Sequence, residues 1–215
     1  SRLVTLSGSS DQAISTTGSS VGFGFLTINN ASNDIDPADD ITVANDFTIT
    51  AGELDLSTHT ATVTGTSDVN GTLTISAGTF DANGTFDATG GNITFSGAGR
   101  LELGGTVTSL GTFTGGGSST VSYNGASTQT IDDFGAKSGP YDNLDLDGGG
   151  QKDLSGNTTV DGVLSWSADC DMTTNGHTLT IKQSPTGYND NRVITGGSST
   201  TVSVAYSSSS TSECF

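Results

Sequence analysis

Basic side chains are scarce in this chain. Only 6 of its 215 residues are Lys or Arg, against 23 Asp or Glu, giving a formal charge of −17. Phosphate binding needs clustered cations, so nucleic acid is excluded as a partner, and anionic lipid is disfavoured for the same reason. Cysteine occurs twice, at Cys170 and Cys214, too few for a disulfide scaffold. One bridge between Cys170 and Cys214, within a chain or between chains, is compatible with an oxidising compartment. There is no CxxC and no Cys/His metal cluster. No apolar run approaches the ~18 residues of a membrane-spanning helix. Aromatic residues are 7%, with Trp166 the one Trp, which argues against a sugar-gripping catalytic groove. No secretory leader is visible, so a mature secreted form would have lost one.

What is present is pattern. The stretch 41–113 repeats apolar–polar–apolar patches: ITV, FTI, LDL, ATV, LTI, ITF, LEL. Gly, Asn, Asp, Ser and Thr separate them. Disordered chains do not sort apolar residues this way, so the pattern predicts many short strands joined by tight turns. Every third anchor lies 17 to 23 residues on, which sorts the anchors into three series. They are Val43, Val63, Phe80, Leu103; Ile49, Val69, Phe86, Val107; and Leu56, Ile75, Phe95, Phe113. A chain returning about every 20 residues with three strands per turn is an all-β parallel β-solenoid, or β-helix, here of roughly ten coils. The polar segment Asn29–Asp40, with Pro37 and its aspartates, is expected to be a loop rather than a central strand.

A longer repeat runs through the chain at an offset near 117. LVTLSGSSDQAI at 3–14 matches TVSYNGASTQTI at 120–131. Phe47-Thr48-Ile49 matches Leu164-Ser165-Trp166, and HTATV at 59–63 matches HTLTI at 177–181. The expected organisation is a solenoid over 1–181, with related segments 1–63 and 118–181 bridged by 64–117. Residues 182–215 form a C-terminal region of one or two strands, including TVSVAY at 201–206, and a Ser-rich tail.

The units GPYDNLDLDGGGQKDLSGNTTVDGVLSW and TTNGHTLTI resemble the repeats of secreted bacterial surface proteins with adhesin-like β-solenoid regions. The resemblance is good over 120–181, looser over 1–113, and does not reach the tail. It implies an extracellular or cell-surface scaffold and no particular ligand.

Candidate chemistry is sparse. Asp34, Asp36, Asp39 and Asp40 could offer oxygen ligands to Ca²⁺, although their spacing is not that of an EF-hand. Asp142, Asp145 and Asp147 form a weaker acidic group. His59 and His177 occupy the same place in the repeat and read as corner residues. Thr-x-Thr pairs, such as Thr72/Thr74 and Thr112/Thr114, fit either ordinary strand chemistry or an ice-binding array. No Ser or Cys has an arranged base. The expected function is a non-enzymatic structural protein of the cell exterior. It would be a subunit of a filament or adhesin-like assembly in which copies stack end to end, with a surface glycan as a further possible partner. The alternatives are an ice- or glycan-binding module and a polysaccharide-acting β-helix enzyme.

Overall fold

Alternate residues of a strand face opposite sides of a sheet. In Thr60–Val63 the apolar pair Ala61 and Val63 is buried, while Thr60 and Thr62 are partly exposed. The same in–out reading holds for Thr79–Ala82, Arg100–Leu103 and Thr178–Ile181. One strand of four residues buries only two side chains, too few to stand alone. Stacking coil on coil pools these small contributions into one continuous core.

The computed structural model describes residues 2–133, 139–189 and 192–196, and the backbone of 201–204. Every element among them is a β-strand. The strands pair in parallel, each with the strand about 20 residues earlier or later, giving a β-solenoid of about nine coils. The first face is an eight-stranded sheet from Ser20–Phe23 to Leu164–Trp166, extended by a Ser165–Thr186 bridge. The second face begins with Leu3–Ser7 and runs through Ser67–Val69, Phe86–Asp87 and Val107–Ser109. It continues with Gln129–Ile131, Lys152–Leu154 and Met172–Thr173. The third face carries Gln12–Ile14, Thr72–Ile75, Asn92–Phe95 and Thr112–Thr114, then Thr158–Val160 and Thr178–Ile181. In the C-terminal region, Ile194–Thr195 pairs with Met172–Thr173, and Thr201–Val204 pairs with Thr178–Ile181.

Each of the three anchor series lines one face. Within each, one Phe sits two residues from its expected partner. Phe80 lies opposite Ala61 rather than Val63, Phe86 opposite Ser67 rather than Val69, and Phe113 opposite Ile93 rather than Phe95. A two-residue slip keeps the same side chains inward, so the core is unaffected. The shifts let large rings interdigitate. Phe47 and Phe80 stand 5.5 Å apart, Phe80 and Phe86 6.2 Å, and Phe95 and Phe113 5.4 Å, all in tilted or edge-on geometry.

The polar segment before Asp40 is not a loop. Phe25–Pro37 is one 13-residue strand that rounds a corner and pairs on both sides. Asp34 and Asp36 point outward while Ile35 and Pro37 are buried. Pro37 lies at the strand's end, and the amide of Ala38 makes the next bond, to the carbonyl of Ile14. The alternation Asp34-Ile35-Asp36-Pro37 outweighs the composition.

The matched segments occupy equivalent pairings on different faces. Leu3 pairs with Phe25 on the second face, whereas Thr120 pairs with Asn143 on the first. Gln12 pairs with Ile35 on the third face, whereas Gln129 pairs with Lys152 on the second. Val63 pairs with Val43 on the first face, whereas Ile181 pairs with Val160 on the third. Each match therefore lies five full coils and two faces further along, and is turned by one third of a revolution. The two non-Gly residues with left-handed backbone among those described, Ser57 and Asn175, both at φ 51°, are also matched positions. Each starts the turn that leads to His59 or His177.

Candidate functional site

The polar residues singled out from the sequence mostly reach a neighbouring coil. Asp39 Oδ2 accepts from the Thr16 amide at 2.8 Å, and Asp40 Oδ1 from the Thr60 amide at 2.8 Å. His59 Nδ1 lies 3.8 Å from Asp40 Oδ1 at the corner. Asp34 and Asp36 stay on the outer side of their strand. Slight burial, then the charges of Asp55, Asp34 and Asp11, hold the Asp36 carboxyl above its usual range. Two of the four aspartates thus already serve backbone amides. Among the described residues, no group of three or more His, Cys, Asp or Glu is placed to hold a metal ion. Cys170 is a buried thiol, pushed up by burial against the lowering effect of Lys152 and Arg192. Cys214 lies outside the described residues.

The second acidic group separates into individual clamps. Asp142 Oδ2 accepts from the Gly117 amide at 2.7 Å, the Ser119 amide at 3.2 Å and the Ser119 hydroxyl at 2.5 Å. Asp147 Oδ1 accepts from the amide of its neighbour Gly148 at 2.7 Å. Asp145 is the most developed of the three. It lies on the outer side of the first face, yet only 3% of it is exposed. Oδ2 receives Arg100 at 2.6 Å and the Ser122 hydroxyl at 3.2 Å, while Oδ1 receives Ser165 at 2.9 Å and Ser167 at 2.7 Å. Arg100 also holds Glu102 at 2.6 Å. Burial alone would raise the Asp145 carboxyl, but hydrogen bonds from Arg100, Ser167 and Ser165 overcome it and hold it below its usual range. The cluster ties four successive coils.

Two further networks lie inside the solenoid, where the sequence pattern did not point. Tyr123 and Tyr141 are fully buried, with hydroxyl oxygens 3.1 Å apart. The Tyr123 oxygen accepts from the Asp132 amide at 3.0 Å, and the Tyr141 hydroxyl donates to the Asp132 carbonyl at 2.8 Å. Burial pushes both phenols well above their ordinary value. On the second face, Gln129 and Lys152 take buried core positions in a column that continues to Met172. Gln129 Nε2 donates to the carbonyls of Leu103 and Gly105, each at 2.7 Å. Lys152 Nζ donates to the Gly125 carbonyl at 2.8 Å. The available signal was register: Gln129 and Lys152 fall opposite each other once coils are aligned.

The threonine pairs do not assemble into one array. Thr48 lies on the second face, Thr60 and Thr62 on the first, and Thr72, Thr74, Thr112, Thr114, Thr178 and Thr180 on the third. On that third face Asn92 separates Thr72 from Thr112, and Thr74 is buried and donates to Glu53 Oε1 at 2.5 Å.

The corner between the second and third faces is recessed. One groove of about 430 Å³ runs past Asn33, Asp34, Glu53, Asn70, Thr72 and Asn92. A second recess of about 310 Å³ lies further along the same corner at Thr89, Gly90, Ser109, Gly111 and Thr112. Compared with family models, curated proteins and solved structures, the chain matches none. The class defined by fold and geometry is a parallel β-solenoid. No helix among the described residues is long and apolar enough to cross a membrane.

Proposed function

We propose that the chain is a non-enzymatic structural β-solenoid of the cell exterior, a stiff segment of an extracellular filament or adhesin-like surface assembly. The observation that carries this reading is how the polar side chains are used. Asp46 Oδ1 holds the Thr66 amide one coil away at 2.9 Å, and Asn157 Oδ1 holds the Thr178 amide at 2.8 Å. Asn45 Nδ2 donates to the Gly24 carbonyl at 2.9 Å, and Arg192 reaches Asp169 at 2.8 Å. Asp145 and Asp142 do the same with several partners each. A catalyst needs its carboxylates aimed at a substrate, whereas these are aimed along the axis and hold coil to coil.

The resemblance of 120–181 to adhesin-like repeats supports a location outside the cell. In such an assembly, copies join through the parallel coil-on-coil pairing that already runs inside the chain. Electron microscopy of the purified protein over a range of concentrations tests the reading. Rods that lengthen with concentration are expected. Particles that stay monomeric at all concentrations would defeat the filament reading, and release of reducing ends from polysaccharide would defeat the non-enzymatic one.

A further inference from the structure

The recessed corner has a construction of its own. Glycines recur there once per coil, at Gly52, Gly71, Gly91 and Gly111, and Gly52, Gly71 and Gly111 line its recesses. A Cβ on Gly71 would come within 2.4 Å of the Gly52 carbonyl oxygen, and one on Gly111 within 2.5 Å of the Gly91 carbonyl oxygen. These positions are confined to glycine because successive backbones touch there. Two recesses lie along this corner, and the larger one spans the coils from Asp34 to Asn92.

One wall is a single register column. Asp34 pairs with Glu53, Glu53 with Thr72, Thr72 with Asn92, and Asn92 with Thr112. Each coil thus offers one hydrogen-bonding side chain, and all five are exposed or partly exposed. Neighbouring strands lie about 4.8 Å apart, so the column is evenly spaced. At its head, Asn33 lines the groove, and its amide nitrogen is shielded from solvent without a hydrogen-bond partner.

We propose that this corner is a binding track for a linear, uncharged polysaccharide lying along the solenoid axis. The larger recess is open and reaches across four coils, which suits a polymer better than a small molecule. Carboxylate, amide and hydroxyl groups at regular intervals match a chain presenting hydroxyls at every unit. Asp34 and Glu53, within a chain of net charge −17, repel uronate and sulfated polymers. This inference stands apart from the structural role, because a stalk without a glycan track would stack its coils identically.

The test is isothermal titration of the full chain with cellohexaose, xylohexaose, mannohexaose and chitohexaose, with polygalacturonate as the anionic probe. At least one neutral hexasaccharide is expected to bind, and polygalacturonate is not. The double variant Thr72→Ala/Asn92→Ala should weaken that binding by about tenfold or more. Thr62→Ala, on the first face, should leave it unchanged, and thermal melts of both variants confirm folding. The inference is overturned if no neutral hexasaccharide binds at millimolar concentration, if polygalacturonate binds better, or if the double variant binds like the parent.

Discussion

Lys152 donates to Gln129 Oε1 at 2.7 Å inside the solenoid, with no part of Lys152 exposed. The matched glutamine, Gln12, faces Ile35 instead, and its buried Oε1 has no partner. The same glutamine therefore sits beside an ammonium in one segment and a hydrocarbon in the other. Burial lowers the Lys152 ammonium below its usual value, opposed by Cys170 and Asp147. Between the lowered folded value and the unfolded 10.5, the unfolded chain binds the extra proton, so stability rises with pH across that window. Urea midpoints measured at pH 7, 8, 9 and 10 should have a more positive slope with pH for the parent than for Lys152→Met. Equal slopes for both would show that Lys152 is not the titrating group.

The tyrosine pair acts in the opposite direction. Tyr123 and Tyr141 keep their protons in the folded chain when the unfolded chain has begun to lose them, near pH 10. Stability contributed by the protonated pair is complete below that point and falls above it. Tyr123→Phe should also leave the Asp132 amide without its acceptor, at a cost of about 1–3 kcal/mol. A double-mutant cycle with Tyr141→Phe should show coupling of at least about 0.5 kcal/mol, and additive losses would contradict the shared network.

Arg100 and Asp145 predict an acid response. The Asp145 carboxyl is held below the ordinary carboxylate range, so its contribution is present above about pH 4 and is lost as pH falls through the folded value. Arg100→Ala leaves a buried carboxylate with only serine donors. We expect a loss of about 3 kcal/mol at pH 7. The lowering effect of Arg100 is then lost, so the Asp145 carboxyl moves up from its folded value and the acid unfolding midpoint moves to higher pH. A variant that unfolds at the parent's acid midpoint would exclude this account.

Ser67 gives a stabilising prediction. It occupies a core position between Phe47 and Phe86 in the ladder, and its buried hydroxyl has no partner. Ser67→Ala removes an unsatisfied polar group and should raise stability by about 1 kcal/mol. Chemical denaturation settles the sign.

The coil period was legible because inward apolar residues recur wherever the chain returns to a face. Exact register was not, because a two-residue slip preserves the in–out pattern that a sequence displays. Phe80, Phe86 and Phe113 slipped for that reason, and ring packing decided their positions. The strand through Asp34 and Asp36 was hidden by composition, since its carboxylates occupy the outer side while Ile35 and Pro37 carry the core. Lys152 and the tyrosine pair follow no apolar rule, and their meaning emerges only when coils are stacked. The corner groove was least legible of all, because Asp34, Glu53, Thr72, Asn92 and Thr112 line up only through the register of five coils.

The one-third revolution between matched segments has a geometric consequence. Applied again, the same step would carry any surface feature to the remaining face, and a third application would return it to its starting azimuth. A longer array grown by this unit would spread its copies of one corner around the circumference like a screw thread, so that it could be gripped from any side.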